Sequence, residues 1–304
     1  MKRERFSPSG RKNYIGYGII AAVSIIVLVS AAFMLYDRLY GNKASAELPD
    51  GIAEVHFIDV GQGDCALIHT ADINILIDSG EADEYSTVSG YMKRLGITAL
   101  DYIVMSHPHT DHMGCMYRIV GRYGADGFIM PDTGEYEPDT SSYRKLMNEL
   151  DGQGIPVLYA EAGSFIPLDD NSRLEILSPV SEYEDINNYS VTLRFVCGST
   201  AFLFTGDIER EAEQDILDSG REISADVIKV PHHGSGTSGL KIFIQAVSPR
   251  YAVFSVGAGN EHGHPHANIV SLYEKLGALI YRTDINGNIV FTTDGSTVTV
   301  RTDR

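Results

Sequence analysis

Cysteine is scarce in this chain. Among 304 residues there are three, Cys65, Cys115 and Cys197. They are odd in number and far apart, so no disulfide framework is implied even for a protein outside the cell. Two lie in apolar, strand-like runs, and all three read as buried free thiols, with Cys115 a candidate neighbour of the histidines just before it. Basic charge is also thin, with 24 Lys and Arg against 41 Asp and Glu. Seven of those basic residues and two of the acids fall within residues 1–43, so the remainder carries 17 against 39, a net of −22. Such a surface stays soluble and repels polyanions. It argues against a broad basic groove for duplex DNA and so against stable duplex binding, because phosphate neutralisation dominates that affinity. There is no low-complexity tract, no documentable repeat, and no regular strand–helix alternation of the kind that builds a doubly wound parallel sheet.

One long hydrophobic run is present. Residues 14–36 contain no charged side chain, and 23 residues at about 1.5 Å each cross a hydrocarbon core of about 30 Å. Lys2, Arg3, Arg5, Arg11 and Lys12 precede the run, with Glu4 as the single acid. The positive-inside bias predicts a cytoplasmic tail over 1–13, a transmembrane anchor over 14–36, a linker over 37–52 and an extracellular domain over 53–304. Ala44-Ser45-Ala46 resembles a signal-peptidase site, but the apolar run is longer than an ordinary signal core and the site lies far beyond it. An uncleaved single-pass anchor in the cell membrane is the expectation.

After the linker come β signals at Glu54–Ile58, Cys65–His69 and Ile73–Ile77, and hairpin-like strands again near the C-terminus. Helical patterns recur at Tyr85–Leu95, Gly114–Tyr123, Ser141–Leu150, Glu209–Ser219, Leu240–Val247 and Ala267–Leu276. This strand-rich α+β pattern predicts two sheets packed face to face with helices outside.

The densest chemistry follows the apolar run Asp101–Met105. Ser106-His107-Pro108-His109-Thr110-Asp111-His112 sets three imidazoles and a carboxylate in six positions on a loop, where side chains converge. These are ligands that Zn²⁺ favours and Mn²⁺ accepts. Other apolar strands end in the same way. Ala201–Gly206 delivers Asp207, Val227–Pro231 delivers His232 and His233, Ile73–Ile77 delivers Asp78, and Val55–Ile58 delivers Asp59 and then Asp64. Gly263-His264-Pro265-His266 precedes a helix. An Asp after one strand is usually a turn residue. Together, these segments are accounted for by one layout, a site at the rim of a rigid sheet.

His107-Pro108-His109-Thr110-Asp111-His112 resembles the signature of the metallo-β-lactamase fold superfamily. Thr205-Gly206-Asp207 resembles its bridging-aspartate motif, and Ile77-Asp78-Ser79-Gly80 its early aspartate motif. Phe57 through Asp64 (with Gly61-Gln62-Gly63), Asn187-Asn188-Tyr189-Ser190-Val191 and Lys229-Val230-Pro231-His232-His233-Gly234-Ser235 are similar to the hydrolase domain of the ComEC competence proteins. That resemblance runs from about Glu54 to the C-terminus. It implies a metallo-β-lactamase αββα sandwich and one or two divalent ions, Zn or Mn. In this reading His107 and His109 hold a first ion. Asp111, His112 and one of His232 or His233 hold a second, and Asp207 bridges them. Asp111 also positions the attacking water.

The chain departs from the superfamily where a third histidine would reach the first ion. Asn188 stands there instead, a weaker neutral ligand better suited to Mn²⁺ or Mg²⁺. Further candidates are His264, for a leaving oxygen or a phosphate, and Lys229, for a phosphate or as a surface charge. Asp78, Asp59 and Asp64 are candidates for supporting the ligands, whereas His56 and His69 read as ordinary packed or edge histidines. The resemblance implies a membrane-anchored phosphodiesterase or nuclease acting on a nucleic acid or cell-wall polymer. The alternatives are an esterase like those that act on teichoic-acid phosphorylcholine, and a binding module that has lost activity.

Overall fold

The computed structural model describes residues 48–134, 136 and 138–304. The basic tail, the apolar run at 14–36 and most of the linker lie outside the described residues. Among the described residues no helix is long and apolar enough to cross a membrane.

The first sheet begins as an antiparallel meander of β1 (Ala53–Phe57), β2 (Ala66–His69) and β3 (Asn74–Ile77). Helix α1 (Tyr85–Arg94) then crosses over to β4 (Tyr102–Val104), which is parallel to β3. Helices α2 (Thr110–Met113) and α3 (Met116–Tyr123) lead to β5 (Gly127–Met130), and α4 (Ser141–Gln153) leads to β6 (Val157–Tyr159), both parallel additions. The second sheet starts with antiparallel β7 (Phe165–Pro167), β8 (Ser172–Ile176), β9 (Leu193–Cys197) and β10 (Thr200–Phe204). Parallel strands β11 (Val227–Lys229), β12 (Tyr251–Phe254) and β13 (Leu279–Arg282) follow through α5 (Arg210–Asp218), α6 (Lys241–Val247) and α7 (Ala267–Lys275). After the short α8 (Thr283–Asn286) the chain returns to the first sheet, where β14 (Ile289–Thr293) and β15 (Val298–Thr302) close its edge. The first sheet therefore runs β15-β14-β1-β2-β3-β4-β5-β6, and the second β13-β12-β11-β10-β9-β8-β7.

Side-chain alternation explains the layering, because successive residues of a strand face opposite ways. On β1, Val55 and Phe57 enter the core between the sheets, while His56 turns outward and bonds the Tyr91 hydroxyl of α1 at 2.9 Å. On β10, Phe202 and Phe204 face inward and Ala201 and Leu203 face α5–α7. Phe57 meets Phe204 at 5.8 Å between ring centroids, and Phe202 meets Phe291 of β14 at 6.3 Å, which ties the two sheets together. A separate core packs α1, α3 and α4 on the outer face of the first sheet. The expected pair of sheets with helices outside is the observed architecture.

Some expectations shift. The helix predicted over Gly114–Tyr123 starts two residues later, at Met116, because Gly114 and Cys115 form the break between α3 and the short α2 that precedes it. The pattern did not mark β5, whose four buried residues show no alternation, or β7, a three-residue edge strand. All three cysteines are buried and free.

Candidate metal centre

Strands β3, β4, β10, β11 and β12 run parallel within their sheets and deliver their C-terminal ends to one rim. Asp78, Ser106-His107, Asp207, His232-His233 and Ser255 emerge there in turn. Three of the four non-glycine residues with positive φ among the described residues are Asp78, His232 and His233. This left-handed backbone is disfavoured for residues with a Cβ and persists where the surroundings dictate it. The rim loops are also pressed close together. Gly63 has φ +138, and a Cβ there would sit 2.3 Å from the Asp111 carbonyl oxygen. The Asp64 N–H donates to that same oxygen at 3.1 Å, so the Gly61–Asp64 turn acts as a brace beneath the histidine loop.

Four side chains converge, with one ligand atom each from Asp111, His112, Asp207 and His233 lying within 4.8 Å of one another. His112 Nε2 is 3.6 Å from Asp111 Oδ2 and 3.3 Å from Asp207 Oδ2. His233 Nε2 lies 3.2 Å and 3.3 Å from the same two oxygens. Both Nε2 atoms are buried without a hydrogen-bond partner. Their opposite nitrogens are fixed: His112 Nδ1 on Asp78 Oδ2 at 2.8 Å, and His233 Nδ1 donating to the Ser255 carbonyl at 2.8 Å. An imidazole oriented through one nitrogen, with the other directed at carboxylates, is the arrangement that metal-bound histidines adopt.

Charge points the same way. Asp64, Asp78, Asp111 and Asp207 surround the cluster, and Lys229 is the lysine among them. Burial pushes the Asp207 carboxyl up, but His233, His112 and Lys229 outweigh it and hold the group far below the usual range. Burial likewise opposes charge on the rings. Asp207 and Asp111 nonetheless lift His112 well above the ordinary histidine range and His233 to about 10. A divalent ion bound by this set would replace those protons. Two imidazoles and two carboxylates fit Zn²⁺ or Mn²⁺, so the residues present suit the group the fold implies.

The other half of the site is sparser. His107 Nε2 and His109 Nδ1 approach to 3.0 Å, a two-imidazole pair. Ser106 Oγ and Ser190 Oγ lie 3.2 Å and 3.3 Å from His107 Nδ1. Asn188 is not brought to this pair by any of its hydrogen bonds. Its amide oxygen accepts from the Glu209 N–H at 2.8 Å and its amide nitrogen donates to Glu211 at 3.3 Å, so it anchors its loop to the start of α5.

Other candidates resolve by position. His233, not His232, joins the cluster. His232 Nε2 stays 3.8 Å from Asp207, and its Nδ1 meets Thr237 Oγ1 at 3.1 Å and Glu209 at 3.3 Å. Asp64 supports the site through Lys229. Asp59 does not: it faces outward, pairs with Arg304 at 2.6 Å and accepts from the Gly61 N–H, so its role is in the turn. Lys229 is neither a surface charge nor free for a phosphate, because it is 3% exposed and its ammonium bonds Asp64, Asp207 and the Gly206 carbonyl. His264 stands at the lip, its ring 5.7 Å from that of His232. Burial and the neighbouring His233 lower its pKa to about 4. At neutral pH it is a hydrogen-bonding imidazole, not a proton reservoir for a leaving group. His56 is packed as expected, with Tyr91 and Glu54 as partners.

Sequence reasoning gave no role to Ser106 and Ser190. Ser106 Oγ donates to Asp78 Oδ2 at 2.6 Å, and Ser190 Oγ accepts from the Asp207 N–H at 3.0 Å. Both lay in quoted motifs, and their place inside those motifs was the available signal.

Residues 58–258 match the Metallo-beta-lactamase superfamily. With that match over most of its length, the chain belongs to this superfamily of metal-dependent hydrolases. It is 28% identical over 257 residues to ComE operon protein 3 of Bacillus subtilis, covering 78% of this chain and 33% of that protein. It is 30% identical over 269 residues to Competence protein ComA of Neisseria gonorrhoeae, covering 87% and 35% respectively. The chain thus spans about a third of the length of these relatives. Among solved structures, the metallo hydrolase Igni18 of Ignicoccus hospitalis superposes with a TM-score of 0.53 at 17% identity, over 78% of this chain and 98% of that one. At that identity the likeness establishes the shared fold.

Proposed function

We propose that this chain is a membrane-anchored, outward-facing phosphodiesterase or nuclease that hydrolyses its substrate with a metal-activated water. The observation that carries the reading is the convergence of Asp111, His112, Asp207 and His233 within 4.8 Å. A divalent ion held by these residues would lower the pKa of a bound water to about 7 and polarise a phosphoryl oxygen. The protein's own residues do the remaining work. Asp111, whose side chain is 26% exposed, has an edge open to solvent on which to accept a hydrogen bond from the attacking water and so position it. Asp78 and Ser255 fix the two ring orientations. His264, at the lip, donates a hydrogen bond to a substrate oxygen. The similarity to competence proteins supports a phosphodiester substrate, and the acidic exterior favours a compact substrate or a single strand over gripped duplex. The apolar run at 14–36 and the basic residues before it support the anchor.

The test is a hydrolysis assay of the full-length protein with Mn²⁺ or Zn²⁺. The substrates are bis-p-nitrophenyl phosphate, single-stranded DNA, duplex DNA and phosphorylcholine esters. Single-stranded DNA is expected to be cut fastest. Asp111→Ala and Asp207→Ala are each expected to lose at least about a thousandfold in kcat/KM with an unchanged circular dichroism spectrum. Near-wild-type rates in both variants would overturn the assignment. Cleavage confined to the phosphorylcholine esters would move it to cell-wall polymer.

A further inference from the structure

The buried lysine beneath the site is the feature that the metal-centre reading leaves unused. Lys229 ends β11, and its ammonium lies 2.5 Å from Asp64 Oδ2, 3.3 Å from Asp207 Oδ1 and 2.8 Å from the Gly206 carbonyl oxygen. Asp207 is divided by this contact. Its Oδ2 faces His112 and His233 at 3.3 Å, while its Oδ1 faces the lysine. A carboxylate that bridges two ions through both oxygens needs Oδ1 free, and here Oδ1 already has a cation.

The opposite side of the centre agrees. The protein offers the pair His107 and His109 there, and the Asn188 oxygen is engaged by the Glu209 N–H. A buried ammonium is costly unless paired. Lys229 has two carboxylates and a carbonyl around it.

We propose that Lys229 is a positioning residue that restricts Asp207 to coordination through one oxygen and supplies, as an internal cation, the charge a second ion would bring. The tight centre then takes one ion, on Asp111, His112, Asp207 and His233. His107 and His109 form a half-site that gains its remaining ligands from substrate. The inference rests on the metal-binding reading and is independent of the substrate's identity.

Equilibrium dialysis of the metal-depleted full-length protein against Mn²⁺, with electron paramagnetic resonance of the loaded samples, tests it. The wild type is expected to hold one tight ion per chain with an uncoupled Mn²⁺ signal, and a second ion at least about tenfold more weakly. Lys229→Met frees Asp207 Oδ1 and removes a neighbouring positive charge. It is expected to tighten the second ion by roughly 10- to 100-fold and to give an exchange-coupled pair signal. Lys229→Arg keeps the charge and is expected to stay at one ion, an outcome that a purely structural role would not produce. Two equally tight ions in the wild type, or one ion in a folded Lys229→Met, would overturn the proposal. The wild-type measurement decides it even where Lys229→Met fails to fold. A wild type that binds no ion overturns the metal reading beneath it.

Discussion

Each half of the metal centre holds a pair of imidazoles, and the two differ in what surrounds that pair. His112 and His233 each have one nitrogen tied down, by Asp78 and by the Ser255 carbonyl, and the other set among carboxylates. His107 has two serine hydroxyls behind it and His109 in front. The difference teaches that a ligand motif gives the number of donors, whereas the surrounding carboxylates set how strongly each donor can hold a cation. In the first half, fixed ring orientation and negative charge coincide. The second half has two imidazoles and no carboxylate among their hydrogen-bond partners.

The sharpest way to break this comparison is to truncate one imidazole from each half. His233→Ala is expected to weaken the tight ion by more than about 100-fold, beyond the range typical of outer-layer partners. His109→Ala should change it by less than about 10-fold, and equal losses by calorimetric metal titration would erase the distinction. Asp78→Asn probes the supporting layer with an intermediate effect. It keeps the shape but removes the charge on His112 Nδ1, and metal affinity should fall by about 10- to 100-fold with little change in folding.

The smallest effect contrasts a histidine of the site with one outside it. Burial holds His56 neutral, with a pKa of about 3 against an ordinary 6.5. The stability it contributes is complete above pH 6.5 and lost as pH falls toward 3, because the unfolded chain takes up the proton first. Between pH 7.5 and 5 this residue should cost about 2 kcal/mol of unfolding free energy. His56→Gln should remove that share of the pH dependence in urea unfolding, and identical pH slopes for both proteins would refute the assignment. His112 and His233 shift in the opposite direction.

Much of the site was legible because it is local. His107, His109, Asp111 and His112 share one short segment after β4, the last two on α2, and their spacing requires little beyond the chain itself. The two-layer architecture was legible from strand alternation. The errors came where a residue's partner lies far off in sequence. Asp59 and Asp64 flank the same turn and looked equivalent, yet Arg304 takes one outward and Lys229 takes the other inward. Lys229 read as available charge because no local pattern shows that a strand's last residue faces two buried carboxylates. Asn188 stood in the right motif, but Glu209 and Glu211 of a later segment claim its amide.

The sequence by itself determined the pool of candidate donors, the dense His107–His112 segment and the acidic composition, since these follow from which side chains exist and how closely they are spaced. Only the tertiary structure decided between His232 and His233, divided Asp207 between imidazoles and a lysine, and left His107 and His109 as a pair. Those outcomes depend on how β4, β10, β11 and β12 bring their ends to one rim. A hydrogen bond or a metal ligand is won or lost over about an ångström, a distance that the packing of two sheets sets and no local spacing encodes.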